Sequence, residues 1–153
     1  MSDNDKTENK LGADAASNSS DLLALCEMIA TAAHEGQYRR DGTTPYIEHP
    51  RKVASLVGDD IDAQAAAWLH DVVEDSIIEL NQLYAQKIPT KVIDAVFRLT
   101  KVASESYEAY LEGVTTSPLA IKVKVADMVA NLTDSPTEKQ ITKYAAALQY
   151  IIS

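Results

Sequence analysis

The chain is organised around a short stretch near its middle, Trp68-Leu69-His70-Asp71-Val72-Val73-Glu74-Asp75. This stretch holds one imidazole and three carboxylates within a run whose apolar residues predict a buried helix. An unpaired buried charge is costly, and such a group tends to neutralise instead. The four ionisable groups therefore need a partner, and a metal cation is a natural partner for a histidine beside an aspartate.

The composition favours a single all-α domain. The chain has 153 residues, which is enough for one domain with a substantial core. Hydrophobic residues make up 46% and aromatic residues 6%, with 5 Gly and 5 Pro, a balance that disfavours a sheet protein. We expect a bundle of about eight helices over residues 21–153. Residues 1–20 carry almost no large apolar group and are expected to form a disordered tail.

The charge and the apolar content exclude several classes of protein. A net charge of -9 argues against nucleic-acid binding, because neutralising phosphates requires a basic surface. No apolar run approaches the roughly 20 residues that a membrane span needs, and the N-terminus lacks a signal pattern. The single cysteine, Cys26, cannot form an internal disulfide and is interpreted as a small core residue. A reducing cytoplasm is therefore the expected location.

Apolar spacing and capping residues divide the chain into helices. Ser20 or Asp21 is predicted to cap the first helix, and Met28 and Ala32 to widen its apolar face. Pro50 places His49 at a helix entrance. Asp62 is expected to cap the helix that carries the opening stretch. The apolar faces predicted for later helices include Phe97, Val125, Val129, Leu132, Ile141, Tyr144, Ala145, Leu148 and Ile151.

Polar residues interrupt two other apolar elements. Adjacent helical residues point about 100° apart, so His70 and Asp71 touch one ion only if it lies over the seam between them. The remaining ligands must come from elsewhere, and the candidates are His49 and Asp127, which lies inside the apolar run 123–132. Two imidazoles and two carboxylates leave coordination positions open for water. Mixed nitrogen and oxygen ligands suit Mn²⁺, Fe²⁺ or Zn²⁺.

Further charged residues surround this candidate site. Glu74 and Asp75 follow the His-Asp pair by one helical turn, where a carboxylate could deprotonate a water or protonate a leaving group. Arg39-Arg40 stands out in an acidic protein, and guanidinium groups bind phosphate bidentately and stack on bases. A phosphate clamp beside a metal-activated water predicts hydrolysis of a phosphoester or pyrophosphate. A polar stripe along one predicted helix comprises Lys124, Asp127, Asn131 and Asp134.

Each feature also has a simpler interpretation. A His-Asp pair on a helix is commonly a hydrogen-bonded surface pair, and Arg39-Arg40 alone is typical of a solvated loop. His34 could merely end the first helix, and Tyr144 fits a core position on spacing alone. Lys101 and Glu105 are interpreted as surface charges. The coincidence of polar exceptions in separate apolar elements favours a functional site.

Three blocks in order resemble the HD-domain phosphohydrolases, and more narrowly the hydrolase domain of the RelA/SpoT family and its small alarmone hydrolases. The first block is Ala33-His34-Glu35-Gly36-Gln37-Tyr38-Arg39-Arg40 with Gly42 and residues 45–50. The second block is residues 69–75, and the third is residues 123–132. The resemblance covers the chain from about Leu22 onward. It implies an all-α fold, a single HD-domain helical bundle.

The resemblance also implies a function and a set of site residues. The implied ligands of one Mn²⁺ ion are His49, His70, Asp71 and Asp127. Glu74 and Asp75 are implied to drive attack of a metal-bound water on the 3′-pyrophosphate of (p)ppGpp, giving GDP or GTP and pyrophosphate. The implied nucleotide-binding residues are Arg39, Arg40, Lys124, Asn131 and Tyr144. Met128 and Ala130 depart from the family pattern, which usually has a basic residue and a Tyr or His there.

Two alternatives remain open. One is an HD hydrolase of another nucleotide, such as a deoxynucleoside monophosphate or the 2′-phosphate of NADPH. The segment 37–40 favours the alarmone over these substrates. The other is a non-catalytic nucleotide-binding regulator, and the presence of Glu74 and Asp75 counts against it.

Overall fold

The structure, a computed structural model, describes residues 19–153, and the expected tail lies outside this range apart from Ser19 and Ser20. The helices are α1 (residues 19–33), α2 (Glu48–Leu56), α3 (Ile61–Leu69), α4 (Val72–Asp75), α5 (Leu80–Ala85), α6 (Thr90–Leu99), α7 (Tyr107–Thr115), α8 (Pro118–Leu132) and α9 (Glu138–Ile152). Within the described range, the only β pairing is an isolated bridge between Tyr38 and Pro45. The prediction of an all-α fold is confirmed.

Helix α3 lies at the centre of the bundle and contacts α2, α6 and α8. Its buried residues are Ala63, Ala65, Ala66, Ala67 and Leu69. The distance between packed helices depends on the side chains at the contact, so the alanines let three neighbours approach closely. This packing explains why the opening stretch is apolar on nearly every face before the site begins.

The helix predicted through the opening stretch is interrupted at its ionisable residues. Helix α3 ends at Leu69, and the four-residue helix α4 begins at Val72. His70 and Asp71 form the turn between them, and Gln37 Nε2 holds the end of α4 by donating to the Asp75 carbonyl at 2.8 Å. The turn directs both side chains toward one cavity, whereas adjacent residues of a continuous helix point about 100° apart.

Two predicted helix caps are wrong. Asp60 caps α3, with its carboxylate accepting a hydrogen bond from the Ala63 amide at 3.1 Å. Asp62 lies in the first turn instead, because the extended backbone that a cap requires falls two residues earlier. Ser20 and Asp21 both lie inside α1, which is already helical at residue 19.

Several apolar residues predicted to face the core are exposed. Helical periodicity identifies the apolar side of a helix. The number of neighbouring helices decides how much of that side is buried. Among helices α2–α9, α9 packs most closely against α7 and α8, and its fully buried residue is Ala147. Tyr144, Leu148 and Ile151 are half-buried. The exposed residues that were predicted to be inward are Met28, Ala32, Phe97, Val129, Ile141 and Ala145.

Two further predictions concern Cys26 and the length of the helices. Cys26 is buried, and burial raises its pKa to about 12, so it behaves as the predicted core residue and not as a nucleophile. None of the helices in residues 19–153 has the length and apolar character that crossing a membrane requires.

Candidate functional site

One cavity of about 700 Å³ brings together the predicted site residues. Its walls come from the loop 38–46, the turn between α3 and α4, the segment after α6, and helices α2, α7, α8 and α9. The predicted residues that line it are Arg39, Arg40, His49, His70, Asp71, Glu74, Asp75, Lys124, Asp127, Asn131 and Tyr144. The three sequence blocks therefore meet in space, and the role of each residue stays a prediction.

Two imidazole nitrogens face two carboxylate oxygens at the base of the cavity. His49 Nε2 lies 2.8 Å from Asp127 Oδ1 and 3.8 Å from Asp71 Oδ2. His70 Nε2 lies 3.0 Å from the same Asp71 oxygen and 3.4 Å from Asp127 Oδ1. One ligand atom each from His49, His70 and Asp127 falls within 4.8 Å of the others, and these three residues are buried. We call His49, His70, Asp71 and Asp127 the ligand cluster.

The orientation of the His70 ring suits a cation. Its Nδ1 lies 2.6 Å from the Ala67 carbonyl, which can only accept, so Nδ1 carries the proton. Within residues 19–153, its buried Nε2 forms no well-aligned hydrogen bond, although carboxylate oxygens of Asp71 and Asp127 lie 3.0 and 3.4 Å away. Burial lowers the pKa of His70, but Asp71 and Asp127 outweigh it and raise the pKa well above its usual value. The negative potential that attracts a proton to Nε2 also attracts a metal ion, which competes with that proton.

Buried basic partners keep the acidic ligands ionised. Burial raises the pKa of Asp127, but Lys124 and the two imidazoles hold it well below the usual range. Lys124 Nζ donates to Asp127 Oδ2 at 3.1 Å, and the pKa of Lys124 is raised despite burial. The pKa of Asp71 is lowered to about 2, because the His70 imidazolium outweighs burial. The hydroxyl of Tyr46 also donates to Asp71 Oδ2, at 2.6 Å.

Glu74 and Asp75 lie beside the ligand cluster with a different electrostatic balance. Burial and the neighbouring Asp71 raise the pKa of both carboxyls. Glu74 Oε1 accepts a hydrogen bond from the Lys101 amide at 2.6 Å, which anchors one of its oxygens. A carboxylate with a raised pKa is a stronger base than a free one and is suited to accepting a proton near neutral pH.

The basic rim of the cavity is held by residues far away in the sequence. Arg39 Nη2 donates to Asn131 Oδ1 at 3.0 Å and to Asp134 Oδ2 at 3.1 Å. Arg40 Nη2 donates to the carbonyl of Ser135 at 3.2 Å. Asn131 Nδ2 in turn donates to Asp127 and to the Tyr144 hydroxyl, at 3.3 and 3.4 Å. These bonds connect the first block, the third block and α9 around one opening.

Some cavity residues were missed or misinterpreted. Lys101 was interpreted as a surface charge, yet it lines the cavity. Tyr46 precedes His49 by three residues, a helical spacing that could have revealed it. Lys143 directly precedes Tyr144, an implied nucleotide-binding residue, and this position is a signal that could have revealed it, whereas no motif marks Tyr107. His34, interpreted as the end of a helix, is buried, and its Nδ1 lies 2.9 Å from Gln37 Oε1.

Fold and cluster together define an all-α domain with a buried histidine–aspartate group that could hold a metal ion. Residues 26–151 match the family model described as HD domain. The chain therefore belongs to the HD domain family, as its three sequence blocks predict.

Known proteins with similar sequences narrow the comparison. A guanosine-3′,5′-bis(diphosphate) 3′-pyrophosphohydrolase of Haemophilus influenzae is 34% identical over 118 residues, 69% of this chain and 17% of that protein. The bifunctional (p)ppGpp synthase/hydrolase SpoT of Escherichia coli is 29% identical over 124 residues, 72% of this chain and 17% of that protein. The chain thus spans about a sixth of the length of these relatives.

A solved structure matches over most of both chains. It belongs to a metazoan ortholog of SpoT described as hydrolysing ppGpp. The TM-score is 0.72 at 25% sequence identity, over 86% of this chain and 83% of that one. The predicted resemblance to RelA/SpoT-type hydrolases is confirmed by these matches.

Proposed function

We propose that this chain hydrolyses the 3′-pyrophosphate of (p)ppGpp, releasing GDP or GTP and pyrophosphate. The observation that carries the proposal is the single cavity in which an acidic ligand cluster adjoins a basic rim. A phosphorylated substrate needs both, because the rim binds its charge and the cluster supports the reaction. The names of the similar proteins support the same activity. We also propose a cytoplasmic location, which the free cysteine supports.

The ligand cluster would hold one divalent cation, which we propose to be Mn²⁺. Two imidazole nitrogens and two carboxylates form a mixed donor set that suits Mn²⁺, Fe²⁺ or Zn²⁺. The unbonded Nε2 of His70 supports this assignment, since it faces the carboxylates without a hydrogen-bond partner. When bound, such a cation lowers the pKa of water and polarises phosphoryl oxygens.

Glu74 and Asp75 are proposed to move the protons of the reaction. A water oxygen bonds to the phosphorus attached to the ribose 3′ oxygen, and the bond between that phosphorus and the 3′ oxygen breaks. One carboxylate takes a proton from the attacking water, and the departing 3′ oxygen takes up a proton from the other carboxyl. Their raised pKa values favour both roles, because each group exchanges protons closer to neutral pH.

The rim residues are proposed to hold the nucleotide. Arg40 donates to a backbone carbonyl, a contact that fixes the plane of its guanidinium for stacking on a base. Arg39 is proposed to contact the nucleotide from the same loop. Lys124 offers a positive charge beside the ligand cluster, and Asn131 and Tyr144 offer a linked amide and hydroxyl to ribose or phosphate.

A ppGpp hydrolysis assay with and without Mn²⁺, with products identified, tests the proposal. We expect GDP and pyrophosphate from the wild type with Mn²⁺, and neither product from Asp71→Ala. Orthophosphate released only from NADPH or deoxynucleoside monophosphates would assign the activity to another nucleotide. Binding of ppGpp without turnover in the presence of Mn²⁺ would instead identify a regulator.

A further inference from the structure

Two cations in the cavity lack an acidic partner. The five cationic side chains that line it are Arg39, Arg40, Lys101, Lys124 and Lys143. Arg39 pairs with Asp134, Lys124 pairs with Asp127, and Arg40 donates to backbone carbonyls. Over residues 19–153, neither Lys101 nor Lys143 forms an ion pair with a carboxylate. Lys101 Nζ donates to the Val102 carbonyl at 3.3 Å, a contact that leaves its charge uncompensated, so both charges can attract an anionic ligand.

Lys143 lies against the aromatic rings of Tyr107 and Tyr144. Its Nζ lies 4.4 Å from the centre of the Tyr107 ring and 5.9 Å from that of Tyr144. Among the described residues, the buried hydroxyl of Tyr107 has no hydrogen-bond partner. An unsatisfied buried hydroxyl destabilises the fold, so the retention of this group needs an explanation. An acceptor supplied by a ligand would satisfy it.

The ammonium groups also disfavour each other. The pKa of Lys143 is lowered by burial first, and then by the charges of Lys124 and Lys101. Asp127 and Glu74 offset part of this repulsion for Lys143, and an anion bound between the ammonium groups would offset more of it. Lys101 is fixed on the side of the cavity nearest Glu74, because its amide donates to that carboxylate.

We propose that Lys143, Lys101 and the Tyr107 hydroxyl form a second phosphoryl subsite, which binds a phosphoryl group of the nucleotide other than the one attacked. This inference rests on the proposed function. Ammonium and hydroxyl groups are both donors, and phosphate oxygens accept from both. The bound group is either the terminal phosphoryl of the 3′ pyrophosphate or the 5′ diphosphate. Hydrolysis places these two groups in different products, so the binding of each product distinguishes them. Pyrophosphate carries the first, and GDP carries the second.

The test measures the binding of each product by titration calorimetry to the Mn²⁺-loaded protein. Lys143→Gln removes the charge while keeping a polar side chain of similar length. We expect the Kd of either pyrophosphate or GDP to rise about tenfold, the value for one lost charge-assisted bond. A rise for pyrophosphate assigns the subsite to the 3′ chain, and a rise for GDP assigns it to the 5′ diphosphate. In steady-state assays, KM for ppGpp should rise while kcat stays within about twofold.

Matched variants separate a subsite from a general charge effect. Lys139→Gln removes a charge from an exposed position on the same helix, outside the cavity, and should leave both Kd values unchanged. Lys143→Arg should restore most of the affinity. Lys101→Gln, on a different element, should weaken binding of the same product.

Two results would overturn the subsite: unchanged Kd values for both products in Lys143→Gln, or an equal loss in Lys139→Gln. Product binding requires no turnover, so a wild type that leaves ppGpp intact would contradict the proposed function separately. In that case, the product Kd values of Lys143→Gln and Lys139→Gln would still show whether the subsite exists.

Discussion

Removing one hydroxyl next to the ligand cluster tests how that cluster is positioned. The Tyr46 hydroxyl donates at 2.6 Å to Asp71 Oδ2, the oxygen that lies 3.0 Å from His70 Nε2. The pKa of Tyr46 lies well above its usual value, through burial first and then the charge of Asp71. The hydroxyl therefore remains a donor at every working pH, and Tyr46→Phe deletes this bond while keeping the ring.

The structure sets the size of the expected effect. A hydrogen bond to a charged group contributes about 1.5–3 kcal/mol. Groups that orient a metal ligand typically contribute about 10–100-fold in metal affinity, which corresponds to about 1.4–2.7 kcal/mol. We therefore expect Tyr46→Phe to bind Mn²⁺ about 10–100-fold more weakly. The metal-free protein should lose about 1.5 kcal/mol of unfolding free energy, the lower value, because Asp71 keeps its contact with His70.

Calorimetric titration with Mn²⁺ and urea unfolding in the presence of a chelator measure the two quantities separately. Tyr84→Phe is the matched control, because Tyr84 is exposed on α5 and does not line the cavity. It should change neither quantity. Mn²⁺ affinity in Tyr46→Phe within about twofold of the wild type would refute the positioning role of the hydroxyl.

Four further substitutions test other assignments. Asp71→Ala should abolish metal retention and turnover together, as measured by metal analysis and ppGpp hydrolysis; full activity would remove Asp71 from the ligand cluster. Glu74→Gln should retain Mn²⁺ but lower kcat about 10²–10⁴-fold, because proton transfer supplies that factor, and an unchanged rate would exclude Glu74 from the reaction. Asp60→Ala should lower the free energy of unfolding by about 1 kcal/mol through loss of the α3 cap. Asp62→Ala should cost less than about 0.5 kcal/mol at the surface, and equal losses in urea unfolding would contradict the cap assignment.

Local sequence signals predicted the parts of the fold that depend on local structure. Ser117-Pro118 marks the start of α8, and the Ser117 hydroxyl caps it by accepting from the Ala120 amide. Gly36 follows the end of α1 with a φ of 78°, a conformation that glycine adopts at little cost. Pro50 lies in the first turn of α2, as its fixed φ allows. These signals act within a few residues, so the sequence alone reveals them.

Contacts between residues distant in the sequence determine the break between α3 and α4, which the sequence alone did not predict. The break at His70-Asp71 depends on hydrogen bonds from Tyr46 and Gln37, which lie more than 20 residues earlier in the chain. Local propensity continues the helix through this point, because nothing between Leu69 and Val72 is a strong helix breaker. The interruption is a tertiary effect, and it is what turns two neighbouring side chains toward one cavity.

The net charge shows how an average conceals the arrangement of a site. A charge of -9 predicts a surface unsuited to nucleic acid, but it carries no information about a cavity. Five of the 14 Lys and Arg residues line one cavity, from four separate parts of the chain. Lys101 and Lys143 lie outside the three sequence blocks, and their function would come only from the approach of a loop and α9. An acidic exterior around a locally basic rim is suited to selecting a small polyanion, since a long one would meet the repulsive surface as well.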